Sequence, residues 1–128
     1  MDTYVNIHTH RPTGCGIELR TAGVHPWYAD RESVASILPQ LETAQAVGET
    51  GLDALRGPDH EIQLTRLREQ LALARRRGLP VVLHCVRTFE ELMDEVARCE
   101  PRAVIFHGFI GSPEQARRAF ARGYYLSF

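Results

Sequence analysis

His8 and His10, separated by one residue in NIHTH, are the first side chains in this sequence with the spacing to do chemistry. Residues two apart on a strand project to the same face, so both imidazoles could grip one metal ion. The same pair would also suit an edge strand facing solvent. Glu49 lies in VGETGLD, after an apolar run and before a glycine, where a strand gives way to a loop. A bare carboxylate at such a position calls for a cation, although an exposed loop acid has the same local look. His84 closes LPVVLHC and His107 closes RAVIFHG, each after consecutive apolar residues of the kind found in strands buried on both faces. One such histidine can be a satisfied core residue. Two on successive strands, at the same end, favour a site.

Other candidates surround these five. His25 in AGVHPWY reaches the end of a predicted strand, with Pro26 stiffening the loop and Trp27 able to pack over the site or stack on a base. Substrate contact suits His25 better than metal ligation. Arg11, Arg87 and Arg20 are the nearby basic candidates, and Arg11 and Arg87 could hold a phosphate in a bidentate fork or form ordinary surface ion pairs. Cys85 beside His84 could suggest a thiol with its base, but adjacent strand residues point to opposite faces.

These residues need a scaffold that brings strand ends together. Strand-like runs cover Tyr4 to His10, Ile17 to His25, Gln45 to Asp53, Leu79 to Cys85, Ala103 to Phe109 and Tyr124 to Phe128. Segments of helical period alternate with them, which is the pattern of an α/β fold with a parallel sheet. Val34, Ile37, Leu38 and Leu41 suggest a helix that Pro39 kinks or ends early. Leu64, Leu67, Leu71 and Ala74 form a clearer stripe, with Asp59 as N-cap, Arg75 to Arg77 in a solvated last turn and Gly78 as the stop. Thr88 with Glu91 resembles a capping box, and Ser112 followed by Pro113 repeats a helix start. In folds of this class, ligands bind at the C-terminal edge of the strands. That edge collects His10, His25, Glu49, His84 and His107, whereas His60 falls on a helix.

The 128 residues, 44% apolar, suit one domain over residues 1–128. Fifteen basic against sixteen acidic side chains give a net charge of -1, so no global field would gather nucleic acid or an anionic membrane, and anion binding must be local. MDTYVNIHTH lacks the basic flank and apolar stretch of a signal peptide, and no run approaches a membrane span. A cytoplasmic protein with no membrane partner is expected. Cys15, Cys85 and Cys99 are an odd number in no paired spacing, which suits free thiols.

In order along the chain, NIHTHRP, AGVHPW, VGETGLD, LPVVLHC and VIFHGFIGSPEQA resemble the strand motifs of the TatD family of metal-dependent deoxyribonucleases, within the amidohydrolase-like barrels. The resemblance implies a (β/α) TIM-barrel-like fold of eight strands, of which this chain carries about six. It implies two divalent metal ions, Mg, Mn or Zn, one held by His8, His10 and Glu49 and the other by Glu49, His84 and His107. It also implies a phosphodiester-cleaving hydrolase acting on DNA, with Glu49 bridging the ions beside an activated water. A family aspartate expected after the last strand has no counterpart here, so the chain reads as a C-terminally incomplete barrel whose open edge invites self-association. Two other functions fit the same scaffold: hydrolysis of a small phosphoester, ester or amide, or a non-catalytic metal-binding remnant.

Overall fold

A computed structural model of the chain describes residues 20–128, together with the backbone of two short strands at 5–6 and 17–18. His8, His10, Arg11 and Cys15 lie outside the described residues. The architecture is parallel α/β. Strands β1 (Val5–Asn6) and β2 (Ile17–Glu18) pair in parallel, and a separate five-stranded parallel sheet runs β3 (Thr21–Ala22), β4 (Ala46–Asp53), β5 (Val81–Val86), β6 (Val104–His107) and β7 (Tyr125–Leu126). Each strand of the larger sheet lies beside its neighbour in the chain, as in a barrel built unit by unit. Among the described residues, β7 forms one edge of this sheet.

The run expected as one strand from Ile17 to His25 is instead two short strands in different sheets. Arg20 sits between them and gives its N–H to the side chain of Gln45 at 3.0 Å, not to a strand partner. Its guanidinium binds the Thr43 carbonyl at 3.1 Å. Arg20 therefore belongs to the N-terminal edge of the sheet, away from the expected site, because it precedes β3 in a sheet whose strands all run the same way.

Helices connect the strands. Helix α1 (Val34–Leu41) ends two residues after Pro39, in keeping with the missing donor there. Helix α2 (His60–Arg77) starts at Asp59, whose side chain makes no capping bond, and stops at Gly78 in the left-handed region. Arg75 does more than finish a solvated turn, since it donates to the carbonyls of Cys99 at 2.7 Å and Glu100 at 3.2 Å, closing the end of α3 (Phe89–Cys99). Thr88 occupies the N-cap position of α3, but its side chain makes no capping bond. Its hydroxyl donates instead to the Leu52 carbonyl at 3.1 Å, tying the start of α3 to β4. Helix α4 (Pro113–Ala121) has the full reciprocal cap: Ser112 Oγ accepts from Gln115 N and Gln115 Oε1 from Ser112 N, each at 3.1 Å.

Alternation within the strands separates two apolar faces. Val47, Val81, Leu83, Val104 and Phe106 pack with the helices around Leu67, Leu71, Leu92 and Val96. Ala46, Val82 and Ile105 form a smaller buried cluster on the opposite face. His84 and His107 lie two residues beyond Val82 and Ile105 and so share their side of the sheet. Burying both faces explains the near-continuous apolar runs before each histidine.

Candidate metal centre

Strand β4 carries one extra residue relative to β5. Val47 pairs with Val81, yet Thr50 pairs with Leu83, three steps against two. Such a bulge re-aims side chains, and it separates Glu49 from the helix-facing side to which strict alternation from Val47 would assign it. Beyond the bulge, Gly51 is level with His84, and His84 is level with His107. Gly51 has φ +145°, and a Cβ there would lie 2.0 Å from the His84 carbonyl oxygen, so a side chain would force β4 and β5 apart.

Ligand atoms of His25, Glu49 and His84 all lie within 4.8 Å of one another. They come from three successive segments of the sheet edge: the residues after β3, β4 and β5. His84 Nδ1 is 3.2 Å from Glu49 Oε1, and His84 Nε2 is 2.9 Å from Asp53 Oδ2. The imidazole is thus held between two carboxylates. Burial works against its charged form, but hydrogen bonds and charge from Glu49 and Asp53 outweigh that and raise the His84 pKa.

Asp53 organises the site although its sequence setting marks it only as a strand-end acid. Its Oδ2 also accepts from Trp27 Nε1 at 2.8 Å, and its Oδ1 accepts from the N–H groups of Leu55 at 2.8 Å and Arg56 at 2.9 Å. Burial would raise its pKa, but these bonds from Trp27, His84 and the backbone stabilise the anion and bring it down to about 2. The spacing held a signal: Glu49, Gly51 and Asp53 recur with period two, the register of one strand face.

Two glutamines on α2 fix the strand ends that bear these groups. Gln70 is fully buried, accepts from Val24 N at 2.7 Å and donates to Val24 O at 3.1 Å, immediately before His25. Gln63 accepts from Asp53 N at 2.8 Å and donates to Pro58 O at 2.8 Å, with longer bonds to Asp53 O and Arg56 O. Seven residues apart, they share the face of α2 that carries Leu64, Leu67 and Leu71.

His25 Nδ1 accepts from Trp27 N at 3.1 Å, which caps the short 3₁₀ turn Pro26–Tyr28. In the neutral ring, Nε2 then carries the hydrogen. His107 ends β6 with Nδ1 3.1 Å from Ser127 Oγ, and it is not part of the group of three. Arg87 follows β5 at φ 56° and is exposed. Cys85 faces the helix-side core, and burial pushes its thiol pKa up, which removes the thiolate a nucleophile would need.

A parallel sheet with consecutive strands, carrying imidazole and carboxylate groups at its C-terminal edge, defines the class of barrel-type metal-site proteins. Residues 18–128 match the family model described as TatD related DNase. The chain belongs to the TatD family. It is 42% identical over 112 residues to the "Uncharacterized metal-dependent hydrolase YjjV" of Escherichia coli K12, covering 80% of this chain and 43% of that protein. It is 35% identical over 114 residues to the "3'-5' ssDNA/RNA exonuclease TatD" of Erwinia tasmaniensis, covering 83% of this chain and 44% of that one. The crystal structure of the TatD homologue YjjV from Escherichia coli superposes with a TM-score of 0.72 at 38% identity, over 85% of this chain and 46% of that one. A TatD family hydrolase from Entamoeba histolytica, at 24% identity and a TM-score of 0.73, shares the fold, over 86% of this chain and 41% of that one. The chain therefore spans less than half the length of these relatives. The incomplete TIM-barrel-like sheet expected from the sequence agrees with this. Among the described residues, no helix is long and apolar enough to cross a membrane.

Proposed function

We propose that the chain contributes the metal-binding edge of a divalent-metal-dependent hydrolase that cleaves phosphodiester bonds in single-stranded nucleic acid. The observation that carries this reading is the convergence of His25, Glu49 and His84 within 4.8 Å, with Asp53 bonded to the far side of His84. Within that group the Glu49 carboxylate and the His84 imidazole fit a divalent cation, and His25, whose Nδ1 accepts from Trp27 N, is left to the substrate. A histidine ligand is commonly oriented by a carboxylate on its other ring nitrogen, the role Asp53 would have here. Glu49 and His84 are the proposed ligands, with His107 level with His84 on the next strand and His8 and His10 as further ligands from the N-terminal segment. Mg, Mn and Zn all remain compatible with this mixture of imidazole and carboxylate.

When bound, the metal would supply Lewis acidity and a water acidic enough to be a nucleophile near neutral pH. The chain's own residues would do the rest. Glu49 would anchor the cation and orient that water, and His25, with its Nδ1 occupied by Trp27 N, would present Nε2–H to a phosphoryl oxygen. Arg87 and Arg11 are the proposed cations for the substrate's phosphates. The nucleic-acid substrate follows the Erwinia relative named as an exonuclease; the relative named only as a metal-dependent hydrolase keeps a small ester, phosphoester or amide as the second reading.

The test is cleavage of an end-labelled single-stranded oligonucleotide with Mg²⁺ or Mn²⁺, beside Glu49→Ala and His84→Ala. Stepwise shortening that both substitutions abolish supports the reading. Hydrolysis of a simple phosphoester, ester or amide with no shortening of DNA would move the assignment to the second reading, and metal-dependent cleavage indifferent to Glu49 would refute both.

A further inference from the structure

Beside the metal-ligand group lies a cleft of about 450 Å³ lined by Trp27, Tyr28, Asp30, Arg31, Arg56 and neighbouring loop backbone. The Arg56 guanidinium carbon sits 3.8 Å above the centre of the Trp27 ring system. We propose that Trp27 and Arg56 form a nucleotide subsite next to the metal centre, where Arg56 pairs with a backbone phosphate and the adjoining base stacks on the outer face of the guanidinium–indole pair. This inference rests on the nucleic-acid reading above and adds where the strand is gripped.

The pair is built, not incidental. Asp53 Oδ1 accepts from Arg56 N, Gln63 Nε2 donates to Arg56 O, and Asp53 Oδ2 accepts from the indole N–H, so one carboxylate and one amide fix both partners. Gly57, at φ +97°, lets the loop lie against the backbone of Trp27 and Pro26. A Cβ there would meet the Pro26 carbonyl oxygen and Trp27 Cα at 3.2 Å, on a backbone conformation that L side chains rarely adopt. These constraints hold the Arg56 backbone beside Trp27, and its exposed side chain lies over the ring.

The same anchor couples the subsite to the metal centre. Asp53 Oδ2 also contacts His84, and the Trp27 ring lies 5.8 Å from the His84 ring and 4.7 Å from that of His25, centre to centre. A base stacked there would therefore lie beside the proposed ligands. A guanidinium stacked on an aromatic face keeps its edge available for a bidentate phosphate contact. Arg31 adds a second cation at the cleft, against one acid, Asp30. With a net charge of -1 over the whole chain, this local excess is what a phosphate would meet.

Trp27 is the only tryptophan in the sequence, so its fluorescence reports this cleft. The intact chain in EDTA would be titrated with a short oligothymidylate and, separately, with inorganic phosphate, using wild type, Arg56→Ala and Arg56→Lys. The expected result is saturable quenching by the oligonucleotide at concentrations where phosphate alone does little. Arg56→Ala should weaken binding by about tenfold and shallow the salt dependence by about 0.7 in log–log slope, the loss of one single-strand phosphate contact. Arg56→Lys should recover the salt slope, which a purely structural role for Arg56 would not predict. Binding without a Trp27 response, or equal affinity and salt slope in Arg56→Ala with the fold intact by circular dichroism, would overturn the subsite. Retained binding in EDTA, together with no cleavage by the wild-type chain once Mg²⁺ or Mn²⁺ is restored in excess, would leave the subsite standing and remove the hydrolase reading instead.

Discussion

His84 presents Nε2 to Asp53 Oδ2 at 2.9 Å, from a position level with Gly51 on β4 and His107 on β6. Asp53 is the residue through which the imidazole, the indole of Trp27 and the backbone of Arg56 are held as one unit. Its own pKa of about 2 keeps it anionic at any pH where the chain would work.

Asp53→Asn should therefore weaken metal binding while leaving the proposed ligands in place. Loss of a carboxylate that orients a ligating histidine lowers affinity by about 10- to 100-fold. Calorimetric titration of Mn²⁺ into wild type and variant checks this, and equal affinities would deny Asp53 the orienting role. Trp27 emission should shift in the same variant, because its N–H loses a charged acceptor.

Gln70→Leu should destabilise the fold by about 1–3 kcal/mol for each Val24 group left without its partner, since those groups are buried beside the fully enclosed side chain. Urea unfolding measures it. A variant as stable as wild type would mean that water or another residue satisfies Val24.

The two glutamines illustrate what the sequence made legible and what it concealed. Apolar runs ending in His84 and His107 disclosed the edge of the sheet because burial on both faces leaves few polar positions except toward strand ends, whereas Glu49, expected where a strand gives way to a loop, lies within β4. Gln63 and Gln70 are polar residues outside the apolar pattern of Leu64, Leu67, Leu71 and Ala74, and only their placement on the same face of α2 hints that they reach inward to the strand ends. The bulge at Glu49 had no compositional mark, because it depends on β4 gaining a residue against β5. Thr88 stands at the N-cap as its sequence suggests, but the capping box does not form, because the Leu52 carbonyl, far off in sequence, takes its hydroxyl.

Glu95 supplies a pH test away from the metal site. Its carboxylate, 7% exposed, accepts a two-pronged contact from Arg68 at 2.9 and 3.0 Å and a third from Arg98 at 3.3 Å. Arg68 lowers the Glu95 pKa against the opposing effect of burial, with Arg98 adding to the shift. A depressed carboxyl stabilises the fold above the unfolded value near 4.3 and loses that contribution as pH falls through the folded value. Wild type should lose more stability than Glu95→Gln as pH drops from neutral into that acid range, when both are followed by urea unfolding. Parallel pH profiles would show that the ion pair adds nothing.

Ser112→Ala should cost about 1 kcal/mol, because Ser112 Oγ satisfies the Gln115 N–H at the start of α4. Replacement by Asp, another good N-cap, should restore most of it, as thermal unfolding would show. A loss that Asp cannot recover would point to a role other than capping.

The central claim is that Glu49 and His84 hold a divalent cation at the C-terminal edge of the sheet. Calorimetric titration of the metal-free chain with Mn²⁺, beside Glu49→Ala of verified fold, tests it most directly. The account predicts saturable binding in wild type that is lost or weakened by more than about tenfold without Glu49, the anionic ligand next to His84. Equal binding by the two proteins would contradict it.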